Sequence, residues 1–354
     1  MFTQYNMSIF DFKMTRDEFY KQILSKSNSK NSVRASKTGL IRWDNFLASI
    51  GYTDAQAIKE LKGQENNPDT YLFINKFVQY QVKIGLKKST ISLSLAVLKS
   101  WLASNGVMLH SEYAKRFVKL PKQLKELKQP LTAEIIRKLI DEASPQLKPI
   151  LLSLVSSGMR ISECLQVQKR DINVNSNPIE IRLRAETTKT REERIAFISS
   201  EAWQVVKPRL EGLGDRETVF TKQYNEFSLP GIELRFNRLR EKTGLTQKYE
   251  NVNRYHVHIH NFRAYFHTQA TKVLGGDIAH AILGHHKYLD QYFRLTAEEK
   301  TEMYHKLEPY LTVSNEVRQK AMLDDKDRQL SEMEVMKEEL AKQKAKIKRL
   351  ENIS

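Results

Sequence analysis

Through most of this chain the apolar residues recur at three- and four-residue steps, and one stretch, 178–198, alternates instead. The first spacing lines apolar side chains along one stripe of a helix, the second along one face of a strand. The contrast limits the fold to mainly α with a small β-sheet, an α+β architecture. Leu40, Trp43, Phe46, Leu47 and Ile50 stripe a helix over 36–52 that stops at Gly51. Tyr71, Ile74, Phe77, Val78 and Val82 repeat the pattern over 68–84. Ile91, Leu95, Leu98 and Trp101 or Leu102 make another stripe, with Ser89 as its N-cap and Asn105-Gly106 as its stop. A short helix at about 15–24 precedes them, followed by a loop through the polar run SKSNSKNS. These segments predict a small all-helical domain over 1–114.

Residues 115–130, KRFVKLPKQLKELKQP, form a basic linker punctuated by Pro121 and Pro130. Beyond it Thr132 caps a helix carrying Ile135, Ile136, Leu139 and Ile140. Residues 149–155 are apolar nearly all round, which marks a buried helix. Ile179, Ile181 and Leu183 alternate with charged residues, and 194–198 form a second strand after a polar turn. Ile232, Phe236 and Leu239 stripe a later helix, and Arg235, Arg238 and Lys242 share another of its faces. A second domain therefore spans 131–312. The remainder, 313–354, has no Gly or Pro, and Met333, Leu340 and Ile347 repeat every seven residues with Met336, Gln343 and Leu350 between them. This predicts a helix with a coiled-coil seam, or a solitary solvated helix if Gln343 breaks it.

The net charge of +16 is a statement about partners, because an excess of that size favours polyanions. No run of about 18 apolar residues occurs, so no membrane span is expected. The N-terminus carries acids and no long apolar block, unlike a signal peptide. Cys164, the single cysteine, excludes an internal disulfide and a cysteine-based zinc finger. A cytoplasmic, nucleic-acid-bound protein is expected.

Chemistry-bearing residues fall in three blocks. Ser157, Gly158, Arg160 and Glu163 follow the buried helix. Lys189 lies in the turn between the strands, with Arg191 as a possible substitute and Arg194 opening the second strand. His260 and Arg263 share a helix face, with His285 and Tyr292 beyond them. Arginine presents a planar fork to phosphate oxygens, histidine moves protons near neutral pH, and tyrosine can form a covalent ester. His256, His258 and His260 also alternate, and three histidines can bind zinc with an open fourth position, although no carboxylate pattern completes such a site.

In this order the blocks resemble the tyrosine recombinase (phage integrase) family, whose motifs are Gly-x-Arg-x-x-Glu, a hairpin lysine, and His-x-x-Arg, Leu-Gly-His and Tyr. Leu165 and Asp171 also stand where the family has Leu and Asp. The interval from His285 to Tyr292 is shorter than the family's usual one, and Tyr288 and Tyr304 are alternatives to Tyr292 as nucleophile. The resemblance implies an N-terminal core-binding domain and a catalytic domain acting on double-stranded DNA, as a homo-oligomer, with no cofactor and no metal. It implies that Arg160, Lys189, His260, Arg263, His285 and Tyr292 are catalytic and that Glu163 supports Arg160. Lys87, Lys88, Lys99, Lys119 and Lys122 are read as backbone phosphate contacts. Within that class a recombinase that integrates or excises a mobile element is expected first and a chromosome-dimer-resolving one second; the rival from another class is a non-catalytic DNA-binding relative.

Overall fold

The computed structural model describes residues 14–122, 126–225, 228–250, 253–284 and 295–314, together with 319, 323, 326–327, 330–331 and 333–344. The chain divides into two compact units, Met1–Lys125 and Glu126–Ser354.

The first unit is helical. Thr15 and Glu18 form a reciprocal capping box that starts α1 (Arg16–Ser27). The polar run expected to be a loop is instead the junction of two helices. Asn28 takes the left-handed conformation that ends α1, and Ser29 caps α2 (Lys30–Ser49). Ser and Asn side chains supply the helix-end hydrogen bonds here, so the run needs no loop. Next come α3 (Asp54–Leu61), α4 (Pro68–Lys83), α5 (Lys88–Ser104) and α6 (Ser111–Phe117). Ser89 lies within α5; Lys87 holds the cap position and makes no side-chain cap bond. Trp43, Phe46, Tyr71, Phe77, Leu98 and Trp101 fill the core. Both indole N–H groups donate to Asp54, at 2.9 Å from Trp43 and 3.1 Å from Trp101, and Arg16 pairs with the same carboxylate at 2.8 Å. Gly39 lets α2 lie close on α5, since a Cβ there would stand 3.1 Å from Val97.

The second unit is built round α8 (Lys148–Ser157), buried at every position from Pro149 to Ser157. Thr132 caps α7 (Ala133–Glu142) before it, and the single turn α9 (Ile161–Cys164) follows. The sheet is antiparallel in the order β1 (Ile172–Asn173), β2 (Ile179–Leu183), β3 (Arg194–Ile198), with Ile181 opposite Ala196. β1, two residues long, is too short to show a period. Then come α10 (Ser200–Val206), α11 (Ser228–Lys242), α12 (His260–Leu274), α13 (Gly276–Ile282) and α14 (Ala297–Leu311). Helices α7, α10, α12 and α14 and strand β3 all pack against α8. Past α14 the chain stays docked as far as Ser314: the N–H groups of Val313 and Ser314 donate to Glu201 at 2.7 and 2.9 Å. Residues 333–344 are helical, with Met333, Met336 and Leu340 exposed. Ile347 and Leu350 of the heptad pattern lie outside the described residues. Among the described residues, no helix is long and apolar enough to cross a membrane.

Candidate active site

Gly158 ends α8 with φ of 62°, a left-handed conformation that suits glycine. A Cβ there would stand 2.6 Å from Leu283 and 2.6 Å from Phe266, so the α8 terminus meets α12 and the end of α13 without a side chain between them. The turn at Gly158 sets Arg160 at the start of α9. There the Arg160 backbone N–H donates to Glu163 Oε2 at 2.9 Å and its Nη1 pairs with Oε1 at 2.7 Å.

The Glu163 carboxylate is fully buried, and its second oxygen also receives Arg194 Nη2, at 2.7 Å. Burial works against the ionised acid, but the Arg194 charge and the hydrogen bonds from Arg160 outweigh it and hold Glu163 below the ordinary carboxylate range. Arg194 was legible in the sequence as the residue opening β3. Its share in Glu163 was not, because 31 residues separate the two.

Arg263, on the first turn of α12, is buried. Its Nη1 donates to the Gly158 carbonyl at 2.6 Å and its Nη2 to the Leu283 carbonyl at 2.8 Å. Burial, then the charges of Arg194 and Arg160, push it down to about 9, so it still carries its charge at neutral pH. The carbonyl bonds tie the Arg160 turn to the Leu283-Gly284 turn. Gly284 has φ of 63°, and a Cβ on it would lie 2.8 Å from Arg194 Cδ. His285, Tyr288 and Tyr292 lie outside the described residues.

His260 opens α12, exposed, with its ring 6.4 Å from that of His258 and nearly parallel to it. Partial desolvation and the charges of Arg263, Arg254 and Arg160 lower its pKa, so the ring is neutral near pH 7. His258 is pushed down to about 4, by burial first and then by Arg254 and His260. The three alternating histidines do not share a strand. His256 packs on Tyr249 beside the antiparallel bridge of Lys248 and Tyr255, while His260 begins a helix. Among the described residues, no group of three or more His, Cys, Asp or Glu side chains is placed to hold a metal.

Lys189 is exposed in the connection between β2 and β3. The buried Thr188 hydroxyl closes that turn, bonding to the Glu192 carbonyl at 2.9 Å. Asp171 takes Arg184 at 3.1 Å, which fixes the end of β2. Tyr304 is a core residue: its ring packs on Phe197 and its hydroxyl donates to the Ser156 carbonyl at 2.8 Å. Burial raises its phenol well above the usual range, which works against the phenolate a nucleophile would need.

In the first unit Lys87 is exposed and Lys88 and Lys99 are half-buried along α5. Lys87 and Lys88 stand at the positive end of the α5 dipole, where a cation is disfavoured unless an anion joins it. A shallow groove beside them is lined by Arg34, Thr38 and Arg42 of α2 and by Ser89 and Thr90 of α5. Lys119 and Lys122 are exposed, and the Lys119 backbone N–H donates to Asn75 at 2.8 Å.

The phage integrase family model matches residues 129–292. A lambda integrase dimer bound to a COC' core site is similar at 15% identity, covering 82% of this chain and 75% of that one, with a TM-score of 0.55. XerH site-specific recombinase bound to difH substrate is similar at 14% identity, covering 82% and 84%, with a TM-score of 0.52. The Tn1549 transposon integrase with transposon right end DNA is similar at 16% identity, covering 83% and 99%, with a TM-score of 0.51. No curated protein sequence matches the chain. Residues 129–292 are thus a phage integrase family domain, carried on a chain with the tyrosine recombinase fold.

Proposed function

We propose that the chain is a site-specific DNA recombinase that cleaves and rejoins duplex DNA through a 3′-phosphotyrosine, integrating or excising a mobile element. One observation carries the reading: Arg160 and Arg194 divide the buried Glu163 carboxylate, and Arg263 bonds the Gly158 carbonyl next to them, inside the family-matched segment that also holds His260. Two guanidiniums on one carboxylate with a third close by suit an anionic ligand.

Attack on a phosphodiester builds negative charge on the two non-bridging oxygens. Arg160 and Arg263 clamp them and His285 adds a hydrogen bond, as donors fixed in advance where charge develops. The Tyr292 phenol oxygen bonds to phosphorus as the bond to the 5′-oxygen breaks. His260 accepts the phenol proton and Lys189 protonates the departing oxygen. The ester keeps the bond energy, so a second 5′-hydroxyl reverses the step without metal or nucleotide.

Within the helical unit, residues 1–114 serve as the core-binding domain; the basic linker 115–130, whose first three residues complete α6, follows, and 131–312 are catalytic. Lys87, Lys88, Lys99, Lys119 and Lys122 contact backbone phosphates. The 313–354 tail favours assembly into a multimer, a tetramer on DNA.

A nicked suicide duplex tests the chemistry. Wild type should give a covalent protein–DNA adduct on a denaturing gel, and Tyr292→Phe should give none. DNA binding with no adduct would favour the non-catalytic relative, a reading that the short His285-to-Tyr292 interval also suggests.

A further inference from the structure

Arg194 has more to do than neutralise Glu163. One oxygen of the buried carboxylate goes to the Arg160 side chain and the other to Arg194, both at 2.7 Å. A single buried Arg–Glu pair would satisfy the acid by itself. Here two guanidiniums divide it, so neither is fully compensated and each fixes how the other sits. Arg194 also supports the Leu283-Gly284 turn, with its Cδ and Nε filling the space that a Gly284 side chain would need, at 2.8 and 3.2 Å from a built Cβ. Its own backbone opens β3 at the far end of the connection that carries Lys189. Its Nη1 is buried with no hydrogen-bond partner among the described residues, a cost that a merely structural ion pair has no reason to carry.

We propose that Arg194 is a positioning residue for strand cleavage: through Glu163 it sets the Arg160 guanidinium, and through Gly284 it sets the turn leading to His285, at a spacing fixed relative to the Lys189 hairpin. The proposal rests on the recombinase reading for what is positioned, and on the contacts above for how. Arg194 need not touch DNA. Its loss lets the Glu163 carboxylate turn wholly toward Arg160 and removes the packing under Gly284.

The test is a double-mutant cycle on the full-length protein, with single-turnover adduct formation at saturating nicked duplex. Arg194→Met should slow cleavage about 100-fold, the scale of an ångström-sized misplacement of catalytic groups. DNA affinity should stay within about threefold, because phosphate contacts elsewhere dominate it. Arg194→Lys, which keeps the charge and reaches Glu163, should recover at least about tenfold of the rate. On a Glu163→Gln background, Arg194→Met should cost clearly less than it does alone, because the route through Glu163 is already lost and only the packing at Gly284 remains to lose. Additive losses in the cycle, or an unchanged cleavage rate in Arg194→Met, overturn the proposal. Hydrogen exchange across α12 identifies a variant that has simply unfolded, and Arg194→Gln then takes its place in the cycle.

If wild type forms no adduct, the recombinase reading fails and the positioning role is decided by calorimetric titration with tungstate, a tetrahedral oxyanion. Arg194→Met should then bind tungstate at least about tenfold more weakly than wild type, as expected when a buried charged hydrogen bond is disturbed. Equal affinity overturns it.

Discussion

Replacing Gly158 by alanine tests the packing that joins the Arg160 turn to α12. Two costs add there. The left-handed backbone, at φ of 62°, is strained for any residue with a Cβ, by about 1–2 kcal/mol. The new methyl also meets Leu283 Cδ2 and Phe266 Cδ1 at 2.6 Å and Phe266 Cγ at 2.8 Å, all side chains of a filled core. Overpacking of that kind costs about 1–3 kcal/mol. The sum, about 2–5 kcal/mol, should lower hydrogen-exchange protection of the α8 amides by roughly 30-fold or more, at a factor of ten per 1.4 kcal/mol. Amides of α8 report opening of the second unit alone. Gly212→Ala is the control: its φ is 71°, yet nothing stands within 4 Å of its built Cβ. It should show the conformational cost and little else. Equal losses of protection in the two variants would refute the reasoning, since the contacts with Leu283 and Phe266 would then count for nothing.

Four further outcomes follow from the structure. His258, held down to about 4, binds fewer protons when folded than its ordinary value of 6.5 implies. Its contribution to stability is therefore complete above pH 6.5 and declines as pH falls toward 4; an NMR titration of its Cε1 proton should have its midpoint near 4, and one at 6.5 would contradict the burial. Tyr304→Phe should cost about 1–3 kcal/mol in urea unfolding, because the Ser156 carbonyl loses its donor, and should leave adduct formation intact. Loss of the adduct instead would make Tyr304 the nucleophile. Paired Lys87→Gln and Lys88→Gln changes should weaken DNA binding alike on all sequences and lower the slope of log affinity against log salt by about 1 per lysine; an unchanged slope removes them from the interface. Deleting 315–354 should lower the number of protomers per particle, the mass measured by sedimentation equilibrium divided by that of one chain, and an unchanged number would give the tail no part in assembly.

Much of this protein could be read from residue spacing, because side-chain period and helix caps are local. The stripe of Leu40, Trp43, Phe46 and Leu47, the all-apolar α8 and the alternation of Ile179, Ile181 and Leu183 each name their element within one or two turns. The Gly158-x-Arg160-x-x-Glu163 block could be read for the same reason, since three residues on a helical turn bring Arg160 and Glu163 together wherever the turn lies. Local rules failed where two choices were locally close in energy. The Ser- and Asn-rich run at 25–32 could be loop or paired helix caps, and the docking of α1 on α2 selects the caps. The histidines 256, 258 and 260 alternate as a strand would, but α12 starts at His260.

Only the tertiary structure decided what surrounds Glu163. That Arg194 divides the carboxylate with Arg160, that Arg263 bonds the carbonyls of Gly158 and Leu283, and that Gly284 makes room for Arg194 all join residues far apart in the chain. It also placed Tyr304, one of the alternative nucleophiles, in the core. Charge and hydrogen bonding act over a few ångströms of space whatever the sequence separation, so the residue types were written in the sequence and their partners were set by the fold.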